Sequence, residues 1–282
     1  MKPESSPTGG PASDLESAIV RLARESLRGV PARLGEAMLY SWLGPGKRMR
    51  PRLVLAVAQA LRLDNEIAYS LGAAIEAVHA YTLVHDDLPA LDNDDLRRGR
   101  PTNHKVFGEG LALLAGDALA LAGPELVLGL RGRIPADRLT ELLAAILEAA
   151  GARGVIAGQA EEPELKAASG NPAALYEVFR KKTGALFRAA LTLPAIAAGA
   201  DAPTREALGR LGDEIGVSFQ IADDLEDDFA AKKGDAAHVA AYLSPAAARA
   251  EAERRLDADA ALSPALREAL APFLAELRKK LA

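Results

Sequence analysis

Two clusters of carboxylate side chains are the residues of this sequence best suited to chemistry. The first lies between Asp86 and Asp95, and the second between Asp223 and Asp228. Each follows an apolar run that favours a helix, so its negative charge lies at the end of a buried element and must be neutralised. Hard oxygen ligands suit Mg²⁺, which binds one or two carboxylates and takes its other ligands from water and substrate phosphate. The clusters therefore predict a site that holds a diphosphate through several metal ions.

The second cluster has a spacing that would let its carboxylates converge. If residues 219–228 form a helix, then Asp223, Asp224 and Asp227 fall within an arc of roughly 100°. All three side chains would then point into one cavity. The alternative for both clusters is a pair of acidic helix ends in contact with solvent.

The first cluster needs a break in its helix. Asp92 follows Asp86 by six residues and would face away from it on a continuous helix. Pro89 disfavours helical backbone at Leu88 and interrupts the hydrogen-bond ladder. We therefore expect the chain to fold back here and to place Asp92 beside Asp86 and Asp87.

Two groups of basic residues complete the chemistry. Lys47, Arg48 and Arg50 form one group, and Arg97 with Arg98 follows the first aspartate cluster. Guanidinium and ammonium groups bind a diphosphate directly, without metal. One diphosphate could thus be held through Mg²⁺ and a second by cations alone, which suits a reaction of two substrates. The alternative for the first group is a solvated loop.

The elements that must position these residues are helices. The chain has 282 residues, of which 49% are hydrophobic and only 4% aromatic, enough for a large core in a single domain. Apolar residues recur at spacings of three and four, which predicts an all-α fold. Gly and Pro mark expected helix ends near residues 44–46, Gly123-Pro124, Pro135, residues 170–172 and Pro203.

Composition argues against several other classes of protein. A net charge of −5 disfavours a nucleic-acid-binding protein, for which a basic stripe is expected. The absence of cysteine fits a reducing cytoplasm. Residues 1–12 are rich in Pro, Ser and Gly, which predicts a disordered tail and neither a signal peptide nor an anchor. No apolar stretch of 18 residues is free of charge, so we expect no membrane span.

The ordered motifs of residues 46–228 resemble those of the trans-isoprenyl diphosphate synthases, and most closely the bacterial farnesyl diphosphate synthases. The matching segments are Gly46-Lys47-Arg48-Met49-Arg50-Pro51, His79-Ala80-Tyr81-Thr82-Leu83-Val84-His85 with the first cluster, Leu96-Arg97-Arg98-Gly99-Arg100-Pro101-Thr102, Phe107-Gly108-Glu109, Leu114-Ala115-Gly116-Asp117-Ala118-Leu119, Gly158-Gln159-Ala160, Lys181-Lys182-Thr183-Gly184-Ala185-Leu186 and Phe219-Gln220-Ile221-Ala222-Asp223-Asp224.

The resemblance implies a fold and an activity. The fold would be one all-helical polyprenyl synthetase domain over residues 13–282, an isoprenoid-synthase bundle of ten or more helices around a deep cavity, in a cytoplasmic homodimer. The reaction would be head-to-tail condensation of isopentenyl diphosphate with dimethylallyl or geranyl diphosphate to give farnesyl diphosphate. Three Mg²⁺ ions would assist it, with Mn²⁺ as a possible substitute.

The resemblance also assigns roles to individual residues. The expected metal ligands are Asp86, Asp87, Asp92, Asp223, Asp224 and Asp227. The residues expected to hold isopentenyl diphosphate are Lys47, Arg50, His79 and Arg98. The residues expected to contact the allylic substrate or its cation are Arg97, Lys182, Thr183 and Gln220. Five of the aspartates, Asp86, Asp87, Asp92, Asp223 and Asp224, are expected to be catalytic, together with Arg97 and Lys182. From the residues alone, His79, Gln220 and Gln159 would more often be core residues, and Lys182 and Thr183 could be ordinary helix surface.

Product length is expected to depend on Tyr81, five residues before the first aspartate, together with Thr82. In related bacterial enzymes this position forms the floor of the cavity, and bulky Tyr81 favours a C15 product. Helix geometry places Tyr81 about 7.5 Å deeper than Asp86 but turned by roughly 140°. It could therefore be a core residue against a neighbouring helix.

Two segments depart from the family pattern. The segment Phe229–Val239 is shorter than usual and lacks a later lysine, whose charge Lys232 or the substrate-binding candidate Lys233 would supply. The usual Asp after Gly158-Gln159-Ala160 is replaced within Glu161–Glu164, where Pro163 is expected to disturb the helix. The alternatives are a geranyl or geranylgeranyl diphosphate synthase, a class I terpene cyclase, or a weakly active subunit of a heteromeric prenyl synthase.

Overall fold

The computed structural model describes residues 11–165 and 172–282. The expected tail lies outside this range except for its last two residues, since helix α1 begins at Pro11. The helices are α1 (Pro11–Ser26), α2 (Ala32–Trp42), α3 (Met49–Ala60), α4 (Asn65–Asp86), α5 (Asn103–Phe107), α6 (Glu109–Leu128), α7 (Ala136–Ala150), α8 (Val155–Glu161), α9 (Ala173–Phe179), α10 (Ala185–Ala198), α11 (Ala202–Asp224), α12 (Pro245–Arg255) and α13 (Pro264–Leu281). The all-α prediction is confirmed.

Shorter elements connect these helices. A hairpin pairs β1 (Leu96–Arg97) antiparallel with β2 (Arg100–Pro101). Arg98 and Gly99 form its two-residue turn with φ values of 52° and 75°, the positive values that a type I′ turn requires. A π-helical turn over Arg180–Gly184 joins α9 to α10. 3₁₀ turns lie at Glu162–Glu164, Val239–Ala241 and Leu256–Ala261.

Helix α4 is the centre of the bundle. The Asp64 side chain caps its N-terminus by accepting hydrogen bonds from the backbone N–H groups of Glu66 and Ile67. The sequence of α4 is apolar on nearly all sides, and most of its residues are buried against α1, α2, α3, α6 and α10. This buried helix fixes the position of Asp86, its last residue.

Helix α6 packs closely on α4 through glycines. A Cβ on Gly123 would lie 2.6 Å from Val78 Cγ2 and 2.9 Å from the Ala74 carbonyl oxygen, and one on Gly116 would overlap the His85 ring. The sequence expectation of a helix end at Gly123-Pro124 is wrong, because Pro124 lies inside α6. Gly123 serves the close approach of two helices instead of a turn.

Helices α4 and α6 are long and apolar enough to span a membrane by composition alone. The most apolar window of α4 is 89% buried, as befits the core helix of a bundle, whereas that of α6 is 39% buried. Helix α6 therefore presents an apolar face at the surface. Its exposed apolar residues are Leu113, Leu114, Leu121 and Leu128.

Candidate active site

A cavity of about 470 Å³ opens between the start of α3, the middle of α4, the β1–β2 turn and the end of α13. Its lining residues are Pro45, Gly46, Lys47, Arg48, Met49, Arg50, Glu76, His79, Arg98, Phe187, Phe219, Glu276, Leu277 and Lys280. The structure thus brings together Lys47, Arg50, His79 and Arg98, the four residues expected to hold isopentenyl diphosphate.

Arg50 is the cation of this cavity that carries an unused donor. Its guanidinium carbon lies 4.5 Å from the centroid of the Phe187 ring. Its Nε is buried and has no hydrogen-bond partner among the described residues. Burial lowers the pKa of Arg50 to about 10, so it stays protonated at neutral pH. A buried, charged and unpartnered donor on a cavity wall fits an anionic ligand.

Arg48 differs from Arg50 although the two are neighbours in sequence. Its backbone has a φ of 48°, and its guanidinium bonds to Glu76 at 2.6 Å and to Glu16 at 3.1 Å. Burial acts to lower its pKa, but the two carboxylates outweigh burial and raise it. The charge of Arg48 is therefore neutralised within the protein, and its ion pairs fix the loop that precedes α3.

The hairpin turn delivers Arg98 to the cavity from the opposite side. Arg98 Nη1 donates to the Pro45 carbonyl oxygen at 2.6 Å. A Cβ on Gly46 would overlap the same guanidinium group, so the absence of a side chain there leaves Arg98 in this position. Burial, with a further contribution from Arg50 and Arg98, holds the pKa of His79 well below its usual range. His79 is therefore a neutral imidazole.

The first aspartate cluster folds back as the sequence predicted. Helix α4 ends at Asp86, and the backbone N–H of Asp92 donates to the Asp86 carbonyl oxygen at 2.9 Å. Arg97 contacts Asp87 at 2.5 Å and Asp94 at 3.2 Å, so the first-cluster carboxylates hold this arginine. The fold-back therefore places a guanidinium group beside the carboxylates.

Burial raises the pKa of Asp86 to about 6, against an opposing effect of Lys182. It also raises the pKa of Asp87, against the hydrogen bond from Arg97. Desolvation therefore disfavours the charged form of both carboxylates in the protein without a bound cation.

The second cluster does not form the continuous helix that the sequence predicted. Helix α11 ends at Asp224, and Asp227 lies beyond it, exposed, 3.7 Å from His238 Nε2. Asp224 is buried, and its two oxygens accept hydrogen bonds from the Gln220 side chain at 3.2 Å and the Val239 backbone N–H at 2.9 Å. Asp223 forms an ion pair with Lys280. The helical arc is wrong because the tertiary contact to Val239 holds Asp224 and the chain turns after it.

The carboxylates suit a Mg²⁺ ion that takes only one or two protein ligands. Within residues 11–165 and 172–282, no three His, Asp or Glu side chains lie close enough to hold one ion. Mg²⁺ does not require such a cage, because it commonly takes one or two carboxylates and completes its shell with water and substrate phosphate. Burial raises the pKa of Asp223 and of Asp224, the sign of negative charge short of compensation.

The remaining residues expected to contact the allylic substrate bond to one another or to nearby carboxylates. Thr183 Oγ1 donates to Gln220 Oε1 at 3.1 Å, and Gln220 in turn donates to Asp224. Lys182 contacts Glu162 at 2.5 Å, and the lack of a Cβ on Gly158 lets the Lys182 backbone approach α8. Helix α8 ends at Glu161, as Pro163 predicted. Glu162 therefore positions Lys182, a role that sequence reasoning missed.

Tyr81 and Thr82 lie in the interior of the bundle and outside the set of residues that line the cavity. The Tyr81 hydroxyl donates to the Ala150 carbonyl oxygen of α7, and its ring meets the His85 ring edge to face at 5.8 Å. Burial raises the pKa of Tyr81 to about 12. The Thr82 hydroxyl donates to the His79 carbonyl oxygen at 2.8 Å.

Lys233 is exposed in the turn after α11.

Sequence reasoning also missed two residues of α13 that line the cavity, Glu276 and Lys280. Lys280 contacts Asp223 and lies 3.3 Å from Glu226, and Glu276 lies 3.9 Å from Lys47. In sequence, Lys280 is one of three basic residues in a last helical turn, where cations are common for local reasons. No local pattern connects it with the second cluster.

Comparisons with known proteins agree with this architecture. Residues 31–237 match the family model described as polyprenyl synthetase. The chain is 42% identical over 214 residues to a farnesyl diphosphate synthase of Geobacillus stearothermophilus, covering 76% of this chain and 71% of that protein. It is 44% identical over 216 residues to a geranylgeranyl diphosphate synthase of Rhodobacter capsulatus, with coverage of 76% and 71%.

Solved structures are similar as well. The crystal structure of an FPP/GFPP synthase from Zymomonas mobilis has a TM-score of 0.79 and 32% identity, covering 94% of this chain and 99% of that one. A geranyltransferase from Legionella pneumophila has a TM-score of 0.81 and 27% identity, with coverage of 95% and 96%. With a family model matched over most of its length and relatives above 40% identity, the chain belongs to the polyprenyl synthetase family.

Proposed function

We propose that this enzyme is a short-chain trans-prenyltransferase that condenses isopentenyl diphosphate with dimethylallyl and then geranyl diphosphate to give farnesyl diphosphate. The observation that carries the proposal is the asymmetry of the cavity. The Nε of Arg50, buried and without a hydrogen-bond partner in the described part of the chain, lies on its wall, and Lys280, which also lines the cavity, pairs with Asp223 near the end of α11. The six candidate aspartates themselves lie outside the set of described residues that line the cavity. Relatives named farnesyl diphosphate synthase support the C15 product.

The cationic side suits isopentenyl diphosphate. Arg50 presents a desolvated guanidinium group, Lys47 an ammonium on a side chain that is 77% exposed, and His79 a neutral imidazole that can donate one N–H. Together with Arg98 they offer donors for one diphosphate without metal. Isopentenyl diphosphate is homoallylic, and loss of its diphosphate would give no resonance-stabilised cation. This substrate therefore keeps its diphosphate and supplies the attacking double bond.

The carboxylate side suits the allylic diphosphate with its metal ions, for which we propose three Mg²⁺ and allow Mn²⁺. Asp86, Asp87, Asp92, Asp223, Asp224 and Asp227 are the candidate ligands. Bound Mg²⁺ supplies positive charge that stabilises the diphosphate as it leaves the allylic carbon. Arg97 and Lys182, which Asp87 and Glu162 hold in place, add fixed positive charge at the same end of the cavity.

The residues between the two sides are suited to stabilise an allylic carbocation and to protect it from reaction with water. The rings of Phe187 and Phe219, with centroids 5.5 Å apart, form an apolar wall. The Thr183 hydroxyl and the Gln220 amide are held to each other, so their dipoles are fixed before the reaction. We propose that these dipoles face the allylic cation, and that the proton released after condensation goes to the departed diphosphate.

The test is to incubate the pure protein with dimethylallyl and isopentenyl diphosphates and Mg²⁺, and to analyse the dephosphorylated alcohols. We expect farnesol, and none when EDTA is present. Geraniol or geranylgeraniol would establish a shorter or longer product, and a cyclic hydrocarbon would establish a terpene cyclase. No product from the chain alone, with product only after a second protein is added, would establish a subunit of a heteromeric enzyme.

Replacement of Tyr81 by Ala is expected to shift the main product from C15 towards C20 or longer, because it removes bulk between α4 and α7. The product distribution is measured as above. Tyr81→Phe is the matched control, since it keeps the ring and loses only the hydrogen bond to Ala150, so C15 should persist. An unchanged distribution with Tyr81→Ala would assign Tyr81 to core packing alone.

We also propose a cytoplasmic homodimer that pairs through α6. The exposed leucines of this helix form an apolar face on an otherwise well-packed bundle. Leu121, which is 62% exposed, is expected to tolerate Glu without loss of the fold, as judged by circular dichroism. Leu121→Glu should lower the solution mass, measured by light scattering, from a dimer to a monomer. A dimer that persists would place the interface elsewhere.

A further inference from the structure

Helix α13 brings opposite charges to the two sides of the cavity. Glu276 and Lys280 are four residues apart and therefore lie on one face of the helix. Lys280 Nζ contacts Asp223 and lies 3.3 Å from Glu226 Oε2. Glu276 lies 3.9 Å from Lys47 Nζ and 3.5 Å from Arg52 Nη1. Lys280 thus meets carboxylates of the second cluster, and Glu276 meets basic side chains at the start of α3.

These contacts come from a firmly packed helix. The buried leucines of α13, at positions 266, 270, 274, 277 and 281, anchor it against the core. The Lys280 side chain is 21% exposed, and its ammonium lies 5.1 Å from the centroid of the Phe219 ring. A lysine ammonium is charged at neutral pH, and Asp223 and Glu226 are its partners. The lysine is therefore charged and held in place.

We propose that Lys280 is an internal counter-cation of the metal site, which occupies Asp223 in the metal-free enzyme and is displaced when a divalent cation binds there. Glu276 is its counterpart on the cationic side and is displaced by the diphosphate. The inference rests on the proposed function, because it takes Asp223 as a metal ligand. The ammonium of Lys280 contacts Asp223 Oδ1, so a cation that binds this oxygen must displace it.

The consequence is a competition that lowers metal affinity. A divalent ion that binds Asp223 must first break the ion pair with Lys280, and the free energy of that pair is subtracted from the free energy of metal binding. Removal of one partner of a partly buried pair leaves the other charge uncompensated, here the Asp223 carboxylate. We therefore expect removal of the Lys280 charge to strengthen metal binding about threefold to tenfold.

The test measures binding of Mn²⁺ alone, without diphosphate or turnover, from the free-ion signal in electron paramagnetic resonance. Lys280→Gln removes the charge and keeps an unbranched polar side chain whose first two methylene groups match those of lysine. It should bind Mn²⁺ about threefold to tenfold more tightly than the native enzyme. Lys279→Gln is the matched control, because this exposed neighbour loses the same charge, and its affinity should be unchanged. Lys280→Arg should behave like the native enzyme.

Unchanged or weaker Mn²⁺ binding by Lys280→Gln overturns the inference, as does an equal gain in Lys279→Gln, which would reflect net charge alone. Failure of the proposed function is a separate outcome: a native enzyme that binds no Mn²⁺ and forms no prenyl product overturns both. As a second measurement, Glu276→Gln should bind inorganic pyrophosphate more tightly than the native enzyme in EDTA, and weaker binding there would contradict the role of Glu276.

Discussion

Asp223→Asn is expected to lower turnover at least about 10²-fold, the scale seen when a key electrostatic stabiliser of a transition state is lost. The substitution preserves shape and removes the charge that a metal ligand needs. Asp86→Asn, at the end of α4, should have an effect of the same order. Steady-state assay of prenyl alcohols at saturating Mg²⁺ measures both effects. Near-normal turnover by Asp223→Asn would refute its assignment as a metal ligand.

A matched control is available in the same segment. The Asp228 side chain accepts hydrogen bonds from the backbone N–H groups of Ala230 and Ala231, and an Asn side chain can accept them equally. Asp228→Asn removes one negative charge one to five residues from the candidate ligands and should leave turnover nearly unchanged. A loss equal to that of Asp223→Asn would show that net charge, and not ligation, is responsible.

The Asp86→Asn variant also separates loss of function from loss of fold. Burial raises the pKa of Asp86 from 3.8 to about 6, so the folded protein binds more protons than the unfolded chain between these values. The stability of the metal-free protein therefore falls as pH rises through this window. Removing the charge should leave the midpoint of thermal unfolding at pH 7 equal to or above that of the native protein, while turnover falls.

Features of the site that depend on local backbone chemistry could be predicted from sequence. Pro89 breaks α4 and turns the chain back, and the bond from Asp92 N–H to the Asp86 carbonyl confirms it. Pro163 ends α8 in the same way. Both predictions succeed because proline acts on its immediate neighbours, through sterics and a missing N–H, whatever the tertiary structure.

Features that depend on distant contacts could not be predicted. The helical arc of the second cluster assumed that α11 continues to Asp228, but Val239 binds Asp224 from fifteen residues away and the helix stops. The Gly123-Pro124 pair has a turn-like sequence, yet its glycine serves the packing of α6 on α4. In each case tertiary contacts override the local signal.

The basic segment at the start of α3 shows both what can and what cannot be predicted from sequence. Sequence places Lys47, Arg48 and Arg50 together as one cationic group, and all three line the cavity. Only the fold distinguishes them. Arg48 is neutralised by Glu76 and Glu16, whereas Arg50 keeps a buried donor without a partner among the described residues. The sequence does not show which of these cations can bind a ligand, because that depends on where Glu16 and Glu76 lie in the fold.

Because of this difference, Arg50→Ala is the second substitution for which we expect a large effect on the enzyme kinetics. The variant is expected to raise the Michaelis constant for isopentenyl diphosphate about 10-fold to 100-fold, because hydrogen bonds to charged groups contribute about 1.5–3 kcal/mol. The lost interaction holds the substrate equally in the ground and transition states, so kcat should change little. The Michaelis constant for the allylic diphosphate, bound on the opposite side, should stay within about threefold. Initial rates with each substrate varied in turn provide these constants.

Arg52→Ala is the matched control for Arg50→Ala, because it makes the same substitution two residues later in α3. Arg52 stacks on Phe273 and pairs with Glu276 at 3.5 Å, and it does not line the cavity. Its loss should leave both Michaelis constants nearly unchanged. Arg50→Lys should fall between the native enzyme and Arg50→Ala, because the ammonium keeps the charge and loses the planar fork. Equal rises in both Michaelis constants with Arg50→Ala would contradict the division of the cavity into a cationic side and a carboxylate side.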